Sequence, residues 1–134
     1  MDKLRSKWVW QALGLPTPAF RVLQRGDDPA TAAQALGLPV FVKPLNEGSS
    51  LGTTRVDHAD ALADACREAR AYGEAVLVEQ CIEGPEYTVA LLNSSTLPAI
   101  RIDVDDAFYD FKAKYRSEAT RMTIPSGLTG AAQA

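Results

Sequence analysis

Apolar residues before Glu86 fall into two kinds of segment, short runs of strand length and longer stretches with helical spacing. The short runs are rich in β-branched and aromatic side chains, which favour strands. The longer stretches begin near an aspartate and end at a glycine, which is typical of helices. The predicted elements are a helix from Asp2 to about Leu13, a strand at 20–23, a helix at 30–36, strands at 40–42 and 53–56, a helix ending near Tyr72, and a strand at 75–78.

The predicted first helix has two chemically different sides. Leu4, Trp8, Ala12 and neighbouring apolar residues share one side, while Lys3, Arg5 and Lys7 lie on the other. This is the pattern of an amphipathic helix whose apolar side packs on a core.

The pattern changes near Glu86, after which only antiparallel strands are predicted. A hairpin of strands at 87–92 and 97–104 precedes a third strand at 108–111. From Arg116 onward the apolar residues follow neither helical nor strand spacing, which predicts a mobile or truncated tail. We therefore predict two units, residues 1–85 and 86–134. The three strands of the second unit lack a covering helix, so we expect a missing packing partner.

Composition is that of an ordinary globular protein. The chain has 134 residues, 46% of them hydrophobic, and a net charge of -3, which gives no footprint for nucleic acid or an acidic membrane surface. No apolar stretch reaches the roughly 18 to 20 residues that span a bilayer, and the start lacks a signal peptide, so the default location is cytoplasmic. Cys66 and Cys81 make neither a zinc site nor a disulfide framework and are interpreted as small buried hydrophobes.

The stretch with the most chemistry is Val40 to Gly52. The predicted strand is followed by Lys43, by Pro44, which cannot donate to a ladder, and then by the loop Gly48-Ser49-Ser50-Leu51-Gly52. A lysine beside exposed amides and hydroxyls could bind phosphate, although a polar turn with a surface lysine fits the same residues. It is not a Walker loop, because no Gly-Lys-Ser or Gly-Lys-Thr closes it.

Five segments together closely resemble the D-alanine:D-alanine ligases of the ATP-grasp superfamily. The resemblance covers nearly the whole chain in order and implies an incomplete α+β ATP-grasp fold, an antiparallel sheet with helices on one side followed by a few strands of a second unit. It implies a peptidoglycan-synthesis enzyme that uses ATP and Mg²⁺ to join two D-alanines. The segments are Met1–Lys7, Leu38–Pro44, Glu47–Gly52, Gly84–Val89 and Phe108–Tyr115.

The resemblance also implies roles for individual residues. Lys3, Lys43 and Lys114 would contact the ATP phosphates under a loop containing Gly48, Ser49 and Ser50. The segment Glu79-Gln80-Cys81-Ile82 would read adenine through its backbone, Glu86 would bind the ribose hydroxyls, and Phe108 is a further nucleotide-binding position. Many relatives have lysine where this chain has Gln80, which puts only a side-chain contact in doubt.

Ser49 and Tyr115 are the two candidate catalytic residues. The resemblance implies that they belong to a hydrogen-bonded set that organises the closed state. Tyrosine at this position is typical of dipeptide-forming ligases, and phenylalanine of ester-forming ones.

Arg101-Ile102-Asp103 is similar to the family's arginine and magnesium-binding motif but precedes the Tyr115 loop, so we assign it to an earlier strand and predict no metal ligands in this chain. The chain alone is therefore expected not to ligate D-alanine, although its parent, which the resemblance implies to be a homodimer, would. Alternatives are a depsipeptide ligase, another ATP-grasp carboxylate:amine ligase, or a noncatalytic nucleotide-binding module.

Overall fold

A computed structural model describes residues 1–103 and 120–128. The chain divides into two compact units, Met1–Ile82 and Glu83–Ala134. The assignment of two ATP-grasp subdomains with a boundary after residue 85 stays a prediction. The elements are α1 Lys3–Ala12, β1 Phe20–Leu23, α2 Pro29–Leu36, β2 Val40–Pro44, β3 Thr54–Val56, a 3₁₀ turn Ala59–Ala61, α3 Leu62–Arg70, β4 Val76–Gln80, β5 Glu86–Thr88, β6 Leu91–Leu92, β7 Ser95–Thr96, β8 Ile100–Asp103 and β9 Arg121–Thr123.

The first unit is built on a four-stranded antiparallel sheet with strand order β1-β4-β2-β3. In β4, which lies between β1 and β2, Glu79 is paired with Phe20 on one side and Phe41 on the other. Successive side chains of a strand point to opposite faces, so Val76 and Val78 share one face and Glu79 lies on the other.

Helices α2 and α3 cover the face that carries Val76 and Val78. Helix α2 begins and ends where the sequence predicts: Asp28 caps it by accepting from the Ala30 amide at 3.0 Å, and it ends at Gly37. The prediction is wrong at both ends of α3, because no aspartate side chain caps it at Ala61 and it ends at Arg70, short of Tyr72 and of a glycine. Small side chains on the two helices allow them to approach the strands closely. The buried core consists of Leu23, Ala32, Ala33, Val40, Val42, Val56, Leu62, Ala65, Cys66, Ala69, Val76 and Val78.

Helix α1 is oriented differently from the amphipathic prediction, which is wrong for this helix. Its one buried residue is Lys7, whereas the Trp8 side is largely in solvent, with 57% of Trp8 exposed. The physical reason is that Lys7 has a buried anionic partner, Glu79, on the sheet face opposite the core. A paired charge can be buried where an unpaired one cannot.

The second unit contains the predicted hairpin, interrupted in the middle. β6 pairs with β7 and β5 pairs with β8, both antiparallel, around a turn in which Asn93 and Ser94 have positive φ. Pro98 lies on the returning arm and has no N–H to donate, which accounts for the break between β7 and β8.

The expected tail beyond Arg116 is wrong in part, because β9 pairs with β8 at Arg101 and Asp103 and completes a three-stranded sheet of order β5-β8-β9. The predicted strand at 108–111 lies outside the described residues. None of the helices in the described part of the chain is long and apolar enough to cross a membrane.

Candidate functional site

The centre of the candidate site is the carboxylate of Glu79 on β4. One oxygen, Oε1, accepts from Lys43 on the neighbouring strand β2, and the other, Oε2, lies 2.8 Å from Nζ of Lys7 on α1. Burial alone would raise the pKa of Glu79, but the positive charges and hydrogen bonds of Lys43 and Lys7 outweigh it and hold the pKa below its usual value. Glu79 is therefore ionised and shared between two lysines.

Lys43 lies inside β2, paired with Leu77, and not beyond the end of a strand that stops at Val42. Because Leu77 and Glu79 are two residues apart on β4, the Lys43 side chain shares their sheet face. Its ammonium group also lies 5.1 Å from the centre of the Phe41 ring. Of the three charged side chains, Lys43 is the most exposed, at 22%, compared with 10% for Glu79 and 5% for Lys7.

Lys3, from the first turn of α1, lies at the base of the glycine loop. Its ammonium donates to the carbonyls of Pro44 at 2.7 Å and Glu47 at 2.5 Å, and its amide donates to the Leu45 carbonyl at 3.0 Å. Burial and the nearby positive charge of Lys43 lower the pKa of Lys3. The carboxylates of Glu47 and Glu79 oppose this shift, and a bound anion would oppose it further.

The loop itself has an unusual backbone. Ser49 and Ser50 have φ of 50° and 59°, in the left-handed region that residues other than glycine seldom adopt. The loop is held by bonds from the Leu51 amide to the Gly48 carbonyl and from the Thr53 amide to the Ser50 carbonyl, both 3.1 Å. Such strain is often found at binding loops. The sequence gives no signal for it, because serine is not a typical left-handed residue.

Gly52 is required for a different reason. Its φ is 62°, and a Cβ placed there would lie 2.7 Å from the Tyr72 ring and 2.8 Å from Pro44. The chain therefore turns tightly against β2 as it leaves the loop.

The segment predicted to read adenine is fixed by its neighbours. The Gln80 amide donates to the Ala19 carbonyl at 2.9 Å, and the Cys81 amide donates to the Pro39 carbonyl at 3.1 Å. The side chains of Gln80 and Ile82 are exposed, Ile82 at 64%. The backbone beyond β4 is thus held in place while these side chains face solvent.

The remaining predicted residues lie beyond the first unit in the chain. Glu86 is the exposed first residue of β5 in the second unit. Phe108, Lys114 and Tyr115 lie outside the described residues, and their roles stay predictions.

The Arg101 motif lies in strand β8, as expected, where the Arg101 guanidinium contacts the Asp103 carboxylate at 2.7 Å. Within residues 1–103 and 120–128, no group of three or more histidine, cysteine, aspartate or glutamate side chains could hold a metal ion. Mg²⁺ is usually held by one or two carboxylates together with the phosphates of its nucleotide, so the described residues show no metal centre formed by the protein alone.

Sequence reasoning missed Lys7. One signal could have found it: Lys3 and Lys7 are four residues apart and so lie on the same side of a helix. If Lys3 faces the glycine loop, Lys7 must face the same sheet surface.

Comparison with known proteins gives this geometry a context. In solved structures, D-alanyl-alanine synthetase A from Vibrio cholerae has a TM-score of 0.80 at 27% identity, over 98% of this chain and 43% of that one. The VanG D-Ala:D-Ser ligase from Enterococcus faecalis has a TM-score of 0.78 at 26% identity, over 99% of this chain and 40% of that one. The architecture is therefore a partial ATP-grasp fold.

Sequence comparison narrows the class to one family. The family model described as "D-ala D-ala ligase C-terminus" matches residues 9–134. Relatives named D-alanine--D-alanine ligase include those of Laribacter hongkongensis, 52% identical over 96% of this chain and 42% of the relative, and Marinobacter nauticus, 51% identical over 96% and 39%. The chain belongs to the D-alanine:D-alanine ligase family, and it spans about two fifths of the length of these relatives.

Proposed function

We propose that this chain is the ATP-binding part of a D-alanine:D-alanine ligase. In this reaction the γ-phosphoryl group of ATP passes to the carboxylate of one D-alanine, which gives an acylphosphate and ADP. The amine of a second D-alanine then attacks the acyl carbon, forms the peptide bond and displaces phosphate. The family membership and relatives of about 50% identity that carry this name support the proposal.

The observation that carries the proposal is the convergence of Lys3 and Lys43 at the base of the glycine loop. The pKa of Lys3 is lowered first by burial and then by repulsion from Lys43, while Glu47 and Glu79 oppose the shift. A polyphosphate would relieve this repulsion, and lysines and aligned amides are the groups that stabilise a transferred phosphoryl group.

The nucleoside would be recognised by groups beyond the phosphates. The Gln80 and Cys81 amides already donate within the protein, so adenine would be read by the other backbone groups of Gln80 to Ile82, and this reading does not depend on the exposed Gln80 side chain. The exposed carboxylate of Glu86 suits two ribose hydroxyls.

The remaining parts of the proposal rest on the family resemblance. Mg²⁺ would accompany ATP and neutralise phosphate charge, but no described residue is assigned to it. Ser49 would help to order the closed state with Tyr115. A cytoplasmic location, a dimeric parent enzyme and the absence of nucleic-acid or membrane partners stay predictions.

A second acceptor specificity is kept because one structural neighbour is a D-Ala:D-Ser ligase. The relatives of about 50% identity carry the D-alanine name, which favours D-alanine as the acceptor. Product analysis with D-alanine alone and with added D-serine distinguishes the two.

Calorimetric titration of the chain with ATP tests the phosphate site. Lys43→Ala should weaken binding by about tenfold or more, because a charge-assisted contact contributes roughly 1.5–3 kcal/mol. Arg67→Met is the matched control: it also removes one positive charge, but Arg67 is exposed and pairs only with Asp64 one helical turn away in the described structure. Equal ATP affinity of Lys43→Ala and the control would refute the assignment.

The ribose contact has a sharper test. Wild type should bind ATP more tightly than 2′-deoxy-ATP, and Glu86→Ala should bind the two nucleotides equally, because its carboxylate no longer accepts from the hydroxyl. Retention of the preference by Glu86→Ala would remove Glu86 from the site.

The activity is tested in a chimera in which this chain replaces the matched segment of the Laribacter hongkongensis relative. The chimera should form D-alanyl-D-alanine and ADP from D-alanine and ATP, and Lys43→Ala should lower the rate. A folded chimera that binds ATP but makes no dipeptide would contradict the ligase assignment and leave the ATP site standing.

A further inference from the structure

Lys7 is a buried lysine to which the proposed function gives no task. Its ammonium has an acceptor at each of three positions: Glu79 Oε2 at 2.8 Å, Thr17 Oγ1 at 2.8 Å and the Pro18 carbonyl at 3.3 Å. It also lies 4.9 Å from the centre of the Phe20 ring. An ammonium group has three donors, so Lys7 is fully engaged, and it is too buried to touch a ligand.

Lys43 shares the same carboxylate but differs in access. It takes Glu79 Oε1 while Lys7 takes Oε2, and its side chain is about four times as exposed as that of Lys7. A phosphate that approaches Lys43 would compete with Glu79 for its ammonium group, because both are anions. A buried carboxylate that loses its partner is strongly destabilising.

We infer that Lys7 is a positioning residue that keeps Glu79 paired while Lys43 turns to the phosphates of ATP. The inference rests on the proposed function. With Lys7 in place, the Glu79 carboxylate always keeps a cationic partner. Lys7, Glu79 and Lys43 together carry a net charge of +1, and Lys43 is the lysine of this group that is accessible to a ligand. Without Lys7, Glu79 would hold Lys43 by both oxygens and compete with the ligand.

This role predicts that a second mutation repairs the first. Lys7→Gln keeps a donor toward Glu79 but removes the charge, and should weaken ATP binding by about tenfold, as coupled neighbouring groups do. In the double variant Lys7→Gln/Glu79→Gln no carboxylate holds Lys43, so ATP affinity should return to within about threefold of Glu79→Gln alone. A merely structural Lys7 predicts a double variant at least as weak as Lys7→Gln.

Calorimetry with ATP and ligand-observed NMR with adenosine provide the readouts, and Arg67→Met is the charge-matched control. The weakening in Lys7→Gln should appear with ATP and be absent with adenosine, which has no phosphate. Circular dichroism checks that each variant is folded. If Lys7→Gln alone does not fold, Glu79→Gln and the double variant are compared, and a difference of about tenfold or more in ATP affinity between them overturns the inference.

Three other results overturn it: ATP affinity of Lys7→Gln equal to wild type, equal weakening with adenosine, or no recovery in the double variant. In each case wild type and Arg67→Met still bind ATP, so the proposed function stands. If wild type and Arg67→Met both fail to bind ATP, the proposed function fails and the inference falls with it.

Discussion

Replacement of Gly52 by alanine tests whether the backbone geometry of the glycine loop requires a glycine at this position. Two costs are expected. The left-handed conformation of φ 62° costs a residue with a Cβ roughly 1–2 kcal/mol. The added Cβ would also lie 2.7 Å from the Tyr72 ring and 2.8 Å from Pro44.

The second cost depends on which neighbour can move. Tyr72 is exposed and its ring can rotate away, but Pro44 is buried within β2. Relieving such overpacking costs about 1–3 kcal/mol. The loss of unfolded-state freedom on replacing glycine offsets about 0.4–1 kcal/mol. The free energy of unfolding should therefore fall by about 1–5 kcal/mol.

Urea denaturation followed by circular dichroism measures this change, and Gly48→Ala is the matched control in the same loop. Gly48 does not have a left-handed φ, and a Cβ there meets nothing within 4 Å, so the control should differ from wild type by less than about 1 kcal/mol. The reasoning is refuted if Gly52→Ala and Gly48→Ala unfold with the same free energy.

Two further predictions concern buried titratable groups. The pKa of Glu79 is lower in the folded chain than its usual 4.5, so the stability that its ion pairs contribute is present above that value and lost as the pH falls through the folded pKa. The unfolding free energies of wild type and Glu79→Gln should therefore converge on acidification. A constant difference between them from pH 7 to pH 3 would contradict the ion-pair geometry. Burial raises the pKa of the Cys66 thiol, while Cys81 is partly exposed. A thiol reagent should therefore label Cys81 first and Cys66 only on unfolding. Equal labelling rates of the two cysteines in the folded chain would be inconsistent with the described packing.

Most elements of the first unit could be predicted because their signals are local. Apolar runs mark the strands, and Asp28 and Gly37 mark the ends of α2. β9 could not be predicted, because its three residues are all exposed and gain their partner from β8, some twenty residues earlier.

The site was predictable as a set of residues and not as an arrangement. Lys43 and Glu79 were both candidates, but their ion pair depends on β2 and β4 lying side by side, which no local pattern states. The burial of Lys7 depends on the same carboxylate, 72 positions away in the chain. The amphipathic pattern of α1 therefore predicts the wrong side of the helix to be buried. Long-range charge pairing overrode the amphipathic pattern.

The position of β4 between β1 and β2 also has a consequence during synthesis. A ribosome makes the chain from its amino end, yet β4 is the last strand of the four-stranded sheet to be made and the one that joins β1 to the others. Until Gln80 leaves the exit tunnel, β1 has no sheet neighbour within the described part of the chain, and β2 has only β3. The closing of this sheet is therefore a late, nonlocal event, and until then the nascent chain carries β1 unpaired and one edge of β2 open.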